Sequence, residues 1–294
     1  MAAAALTARE IVLVDCPDDV GLIHRITGVL GGHRLNIECN HEFVDTAARH
    51  FFFRAEVTPA AGADTPSAAR LRDDLAGMLP AAARVRVTRA ERRPIVVCAT
   101  REPHCLGELL LLDAVGDLPG RIVAVVSNHD TLRGLVERFG LPFHHVPHRD
   151  GAGHDLARAD HEALLAAAID RHAPEYVVLA RYMRVLSEAF VARYPDRIVN
   201  IHHSFLPAFA GASPYRQAHD RGVKVIGATA HVVTATLDDG PIIAQDVIHV
   251  DHAFTPERMA QAGRDVEKLV LAKAVRLLLE ERVFLHGRRT VVFE

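Results

Sequence analysis

The sequence predicts an α/β chain in two parts, an N-terminal ferredoxin-like βαββαβ unit over residues 1–90 and a larger unit with a mostly parallel sheet over 91–294. Three observations carry that prediction. Strand-like and helix-like patterns follow one another in the order β, α, β, β, α, β through the first ninety or so residues. Charge then clusters in "ERRP" (Glu91 to Pro94), where the character of the chain changes. Beyond it, short apolar, β-branched runs alternate with helical patterns, the arrangement that builds parallel sheets.

In the first unit, "EIVLVDC" (Glu10 to Cys16) has strand composition. "PDDVG" is a turn, and "LIHRITGVLGGHR" places Leu22, Ile26, Val29 and Leu30 on one helical face. Gly31 and Gly32 are the expected end of that helix. "LNIECNHEFVD" and "RHFFFRAEV" alternate as two hairpin strands, "PAAGADTPS" is a loop, "AARLRDDLAGML" a second helix and "ARVRVTR" a closing strand.

The second unit opens with the strand "IVVCAT" and the helix "CLGELLLLDAV". The strand "RIVAVVSN" and helix "TLRGLVERFG" follow, then a short strand in "FHHVPH" and the helix "DHEALLAAAIDRHA". "YVVLARY" has the composition of a buried strand, "SEAFVARYP" of a short helix and "RIVNIHH" of another strand. "GATAHVVTA" and "PIIAQDVIHV" form a later strand pair. "TPERMAQAGRDVEKLVLAKAVRLLLEE" is a long helix opened by a threonine cap, and "VFLHGRRTVVFE" a final hairpin turning at His-Gly.

The totals exclude several classes of function. Of 294 residues 49% are hydrophobic and 24% charged, ordinary for a globular chain with a buried core. A formal net charge of −3 gives no bulk electrostatic case for nucleic acid or an anionic membrane as partner. No apolar run reaches membrane-spanning length, and "MAAAALTARE" lacks the basic segment of a secretory signal. The four cysteines, Cys16, Cys39, Cys98 and Cys105, form no C-x-x-C pair and read as thiols of a reducing cytosol.

The chemistry concentrates in "NIHHSFLP". Strand alternation puts Asn200 and His202 on one face and turns His203 to the other. The carboxyl end of a parallel strand is where open α/β sheets place ligands, and the rigid loop that follows exposes those side chains. A lone histidine there is more often structural; the amide two residues away shifts the balance toward function. "TLDDGPII" offers carboxylates, Asp238 and Asp239, to orient the imidazole and hold a water, although Asp-Gly is also an ordinary turn. A metal site on His202 and His203 is disfavoured because strand neighbours diverge, and neither H-E-x-x-H nor a zinc-spaced Cys/His cluster is present.

"NIHHSFLPAFAG" with "TLDDGPII" resembles the folate-dependent formyltransferase-fold enzymes. "HCLGELL", "SNHDTLR", "LARYMRVLS", "GATAHVV", "QDVIHVDH" and "AGRDVEKLVL" resemble more closely the formyltetrahydrofolate deformylase family, through nearly the whole chain. "LVDCPDDVGLIHRITGVLGGHRLNI" is similar to an ACT domain. The resemblance implies an ACT regulatory domain over 1–90 and a Rossmann-like formyltransferase domain over 91–294. It implies Asn200, His202 and Asp238 as the catalytic trio, with His104, Cys105, Met183, Arg184, Val185, Leu186 and His231 lining the folate site.

The implied reaction is hydrolysis of 10-formyltetrahydrofolate to formate and tetrahydrofolate, feeding formate to purine synthesis, in the cytoplasm, with no cofactor and no metal. An amine-accepting formyltransferase is the alternative. The turn "ATREPHCLGELL" has no glycine before Gly107 to cradle an acceptor phosphate, which favours water as the acceptor. For the ACT-like unit the resemblance implies a homo-oligomer, dimer or tetramer, and an amino-acid effector site for glycine or methionine at Asp19, Gly21 and Asn36. Ser213 departs from the family pattern, which usually has a longer polar or basic side chain there.

Overall fold

The computed structural model describes residues 9–62, 66–208 and 214–294, and contacts divide them after Glu91, with Phe293–Glu294 counted in the first unit. Ser213 lies outside the described residues.

The first unit is built on β1 (Glu10–Pro17), which pairs antiparallel with β3 (His50–Pro59) and β4 (Arg84–Arg89). β2 (Leu35–Asp45) pairs with the far edge of β3, giving the order β2-β3-β1-β4. One face of β1 (Val12, Val14, Cys16) meets Phe51, Phe53 and Ala55 of β3. Leu22, Ile26 and Leu30 of α1 (Leu22–Gly32) and Leu71 and Leu75 of α2 (Ala68–Met78) close that core. Each of the valines, leucines, isoleucine and phenylalanines among them, removed from water, contributes about 1.5–3 kcal/mol before chain entropy is counted.

α1 ends at Gly32, where its glycines predict. His33 still donates from its backbone N–H to Val29 O at 3.1 Å, and the left-handed residue is Arg34, with φ 55°. The two glycines thus form the last helical positions, and the left-handed residue follows the His33 cap.

The second unit begins with β5 (Arg93–Ala99), α3 (His104–Val115), β6 (Gly120–Ser127), α4 (Arg133–Arg138) and β7 (Phe143–His145). It continues through α5 (Arg158–Asp170), β8 (Tyr176–Ala180), α6 (Glu188–Arg193) and β9 (Ile198–His202). α7 (Pro214–Asp220), β10 (Val225–Val232), β11 (Ile242–His249) and α8 (Pro256–Leu279) follow. The final hairpin, β12 (Val283–His286) and β13 (Arg289–Val292), turns at Gly287, with φ 60°.

Among the described residues the main sheet has seven strands in the order β11-β10-β9-β8-β5-β6-β7. It is parallel from β9 to β7 and antiparallel at β10 and β11. β5 sits near its middle and buries both faces. Ile95, Val97 and Ala99 pack toward Leu106, Leu109 and Leu110 of α3 and Val270 and Leu271 of α8. Val96 and Cys98 pack toward Leu165 and Ile169 of α5 and Phe190 of α6. A strand buried on both faces needs a continuous apolar run, which "IVVCA" supplies. α8 starts where Thr255 Oγ1 accepts from the Arg258 N–H at 3.3 Å.

Candidate active site

Because β5, β6, β8 and β9 run parallel, the residues just past Ala99, Ser127, Ala180 and His202 emerge at one edge of the sheet. Next to β9, β10 runs the other way and sets His231 opposite Asn200 and Thr229 opposite His202. The loop after β11's partner strand then returns Asp238 to the same edge. Two stretches about thirty residues apart, β9 and the pair of β10 with its following loop, thus converge at the change from parallel to antiparallel pairing.

His202 is buried, and its Nδ1 lies 3.3 Å from Asp238 Oδ2. Its Nε2 is also buried and has no hydrogen-bond partner among the described residues. The hydrogen bond from His202 holds the Asp238 carboxyl below the ordinary carboxylate value, burial working against it, so Asp238 is ionised at neutral pH. An ionised carboxylate at Nδ1 fixes the imidazole with Nδ1–H toward Asp238, which leaves Nε2 to face a ligand.

Asn200 and His231 form the second couple. Asn200 Nδ2 lies 3.3 Å from His231 Nε2, and His231 Nδ1 lies 3.0 Å from Val232 O. Burial holds the His231 pKa below its ordinary value, so the ring is neutral. One tautomer satisfies both bonds: Nδ1–H donates to the carbonyl and Nε2 accepts from the Asn200 amide. His231 Nε2 is 3.9 Å from Asp238 Oδ1, too long for a hydrogen bond. His231, one of the residues the resemblance placed at the folate site, is the partner that fixes the Asn200 amide. Sequence offered the cue that "GATAHVV" is a strand of alternating faces, but no cue to its register.

The Asp238–Asp239 ambiguity is resolved by backbone shape. Asp238 adopts φ 54°, a left-handed conformation that aspartate tolerates, and turns toward His202. Asp239 pairs instead with Arg288. Gly240 permits this turn, because a Cβ there would fall 1.7 Å from Val232 O. The loop after His202 is pinned by Thr229, whose Oγ1 donates to Ser204 O at 2.9 Å and accepts from the Leu206 N–H at 3.0 Å. His203 does not turn away as simple alternation predicts. β9 ends at His202, and His203 lines the same cavity, its ring 5.4 Å from that of His202.

That cavity has a volume of about 310 Å³ and holds Asn200, His202, His231 and Asp238 on its polar side. Met183, Arg184, Val185 and Leu186 form one wall and Val233 to Leu237 the other. Met183, Val185 and Leu237 are 57%, 59% and 62% exposed, apolar side chains left open in a concavity as a flat aromatic ligand requires. The Met183 N–H is held by Thr100 Oγ1 at 3.0 Å and Val185 O by Arg158 Nη2 at 2.8 Å, which braces the wall.

His104 and Cys105 are not among the residues lining that cavity. They belong to a buried network around Glu267 of α8, which is 1% exposed. Its carboxylate lies 2.8 Å from His104 Nε2, accepts from Tyr215 Oη at 2.6 Å, and sits 3.4 Å from Arg181 Nε. Burial alone would raise the Glu267 pKa, but His104, Arg181 and Tyr215 together bring it below the ordinary value. Burial, then Glu267, pushes the Cys105 thiol up, so it stays protonated. The donor atoms of His104, Cys105 and Glu267 lie within 4.8 Å of one another, close enough in principle for a metal ion. A protonated thiol and a carboxylate already hydrogen-bonded to His104 and Tyr215 and facing Arg181 fit a charge network better than a cation site. No short-range pattern flags it, since His104 and Glu267 are 163 residues apart.

In the first unit, Gly21 has φ 80° at the start of α1. Asp19 Oδ2 takes Arg25 Nη2 at 2.6 Å, and Asn36 Nδ2 donates to Glu38 Oε1 at 2.8 Å. Both polar groups named as effector contacts thus hold local partners.

With this geometry in view, a sequence profile of the formyl transferase family matches residues 93–275. The formyltetrahydrofolate deformylase of Haemophilus influenzae is 51% identical over 284 residues, covering 97% of this chain and 99% of that protein. A crystal structure of a formyltetrahydrofolate deformylase from Pseudomonas syringae pv. tomato superimposes with TM-score 0.90 at 38% identity, covering 98% of this chain and 95% of that one. Glycinamide ribonucleotide transformylase 1 from Symbiobacterium toebii shares less, with TM-score 0.64 and 33% identity over 69% of this chain and 95% of its own.

Proposed function

Because the chain belongs to the formyltransferase family, and within it to the formyltetrahydrofolate deformylases, we propose that Asn200, His202 and Asp238 carry its reaction. The enzyme hydrolyses 10-formyltetrahydrofolate to formate and tetrahydrofolate. The observation that supports these roles best is the bare, buried Nε2 of His202, with Nδ1 tied to Asp238.

The chemistry follows from the positions. Water adds to the formyl carbon, and negative charge develops on the formyl oxygen. The amide N–H of Asn200 that is not given to His231, together with an imidazolium at His202, stabilises that charge. Asp238 takes a proton from the attacking water and balances His202. As the C–N10 bond breaks, His202 Nε2–H delivers a proton to the departing nitrogen. Folate lies against Met183 to Leu186 and the facing loop, with Arg184 toward its tail. Water and folate are the only reactants this scheme uses.

No helix among the described residues is long and apolar enough to cross a membrane. With the cysteines free and mostly buried, we place the enzyme in the cytosol, feeding formate to purine synthesis. The first unit acts as an ACT-type regulatory module that pairs copies of the chain into a dimer or tetramer and takes glycine or methionine as effector. The test is incubation with 10-formyltetrahydrofolate and no amine, following formate, with and without those amino acids. Stoichiometric formate is expected. Product formed only when an amine is added would replace hydrolysis with formyl transfer.

A further inference from the structure

A second cavity, of about 590 Å³, opens beside the first and shares Arg181 and Met183 with it. Its lining comes from the ends of the parallel strands and is strongly basic: Arg101, Arg149 and Arg181, with His129, His145 and His148. Glu102 is the single carboxylate among the lining residues. Arg149 is turned toward Asp155, at 3.0 Å, but Arg101 has no ion pair among the described residues. Burial and then the neighbouring Arg101 and His148 hold the His129 pKa below its ordinary value, as expected where cations crowd. Asn128, 4% exposed, lines the same space with its Oδ1 unpartnered.

Arg181 is the residue common to both spaces that carries charge. It follows directly on β8, adopts φ 60°, and is only 14% exposed at its side chain. Its Nε faces Glu267 at 3.4 Å without the geometry of a hydrogen bond, and neither Nε nor Nη1 has a hydrogen-bond partner. A buried guanidinium with free N–H groups is ready to donate to a planar carboxylate.

Hydrolysis creates such a group. The water oxygen bonds to the formyl carbon, the C–N10 bond breaks, N10 takes one proton, and formate leaves as an anion with the second proton passing to solvent. While tetrahydrofolate still fills the apolar cavity, that way out is closed. We infer that Arg181 and the basic cavity it borders are the formate-release site, through which water also enters, held at Asn128. The inference rests on the deformylase reading of the first cavity and adds a product site to it.

The test measures formate binding to the full-length protein by line broadening of carbon-13 formate, alongside formate inhibition of turnover. Wild type is expected to bind formate saturably and to be inhibited by it. Arg181→Met should weaken binding about tenfold or more, the scale of one lost charge-assisted hydrogen bond. Arg181→Lys should recover part of it, and Arg101→Met, at the cavity rim, should weaken it less. Absence of saturable formate binding in wild type, or equal binding by wild type, Arg181→Met and Arg101→Met, overturns the inference. So does inorganic phosphate binding that depends on Arg181 while formate binding does not, which would assign the cavity to phosphorylated ligands. If wild type releases no formate from 10-formyltetrahydrofolate, it is the reaction assignment that fails, and the binding experiment still reads the cavity.

Discussion

Asp238→Asn isolates the ion pair at the centre of the site. Asparagine has the same shape and tolerates the left-handed φ of 54°, so the loop keeps its turn and only charge is lost. In the step where His202 carries the extra proton, two unit charges at its 3.3 Å separation from Asp238 attract by about 5 kcal/mol at an effective dielectric of about 20. Desolvation offsets most of this, leaving about 1.5–3 kcal/mol for a hydrogen bond to a charged group. At about 1.4 kcal/mol per decade, that alone lowers kcat/KM about 10- to 150-fold. Loss of the base that takes the water proton costs about 10²-fold or more by itself, for a total of about 10³-fold or more, expressed in kcat. KM for 10-formyltetrahydrofolate should change little, since the apolar walls are untouched. Formate release under saturating substrate is the assay, with circular dichroism to check folding. A folded variant within about threefold of wild type in kcat would show that the carboxylate neither orients His202 nor handles the water proton.

Other outcomes follow from the same geometry. His202→Ala should lower kcat about 10³-fold or more while leaving folate binding intact, measured by turnover and fluorescence titration. His231→Phe frees the Asn200 amide from its partner and should lower kcat about tenfold; an unchanged kcat would separate Asn200's orientation from the reaction. Gly240→Ala drives a Cβ to 1.7 Å from Val232 O, so the loop must shift, and both melting temperature and activity should fall. Burial, then Arg181, depresses the His203 pKa from 6.5 to about 4. The unfolded chain then takes up this proton first as pH falls, so stability declines from about pH 6.5 toward pH 4. His203→Gln should flatten that decline in urea titrations across the same window.

What the sequence made legible was whatever short-range periodicity encodes. The buried run of β5, the Thr255 cap of α8 and the shared face of Asn200 and His202 can all be read from a dozen residues each. Features set by where a strand stops were harder. His203 lines the cavity because β9 ends one residue earlier, and Arg34 rather than a glycine makes the reversal after α1. Long-range partnerships were invisible to pattern. Nothing near Glu267 in the sequence announces that it collects His104, Tyr215 and Arg181, and nothing in "LDDG" says which aspartate faces the imidazole. Those facts depend on tertiary register, which one sequence does not print.

The ladder between β9 and β10 has a consequence for how this chain can change length. His231 stands opposite Asn200 and Thr229 opposite His202, and a side-chain period of two turns any one-residue slip into a swap of faces. A single deletion within Val225–Val232 would set an alanine or valine against Asn200 and unseat the loop that Thr229 holds. Insertions between the two strands, where the chain connects β9 to β10 through α7, leave that ladder in phase. Natural length variation should therefore gather in the connection and be absent from the strands, and the same rule tells an engineer which insertions keep the ladder in register.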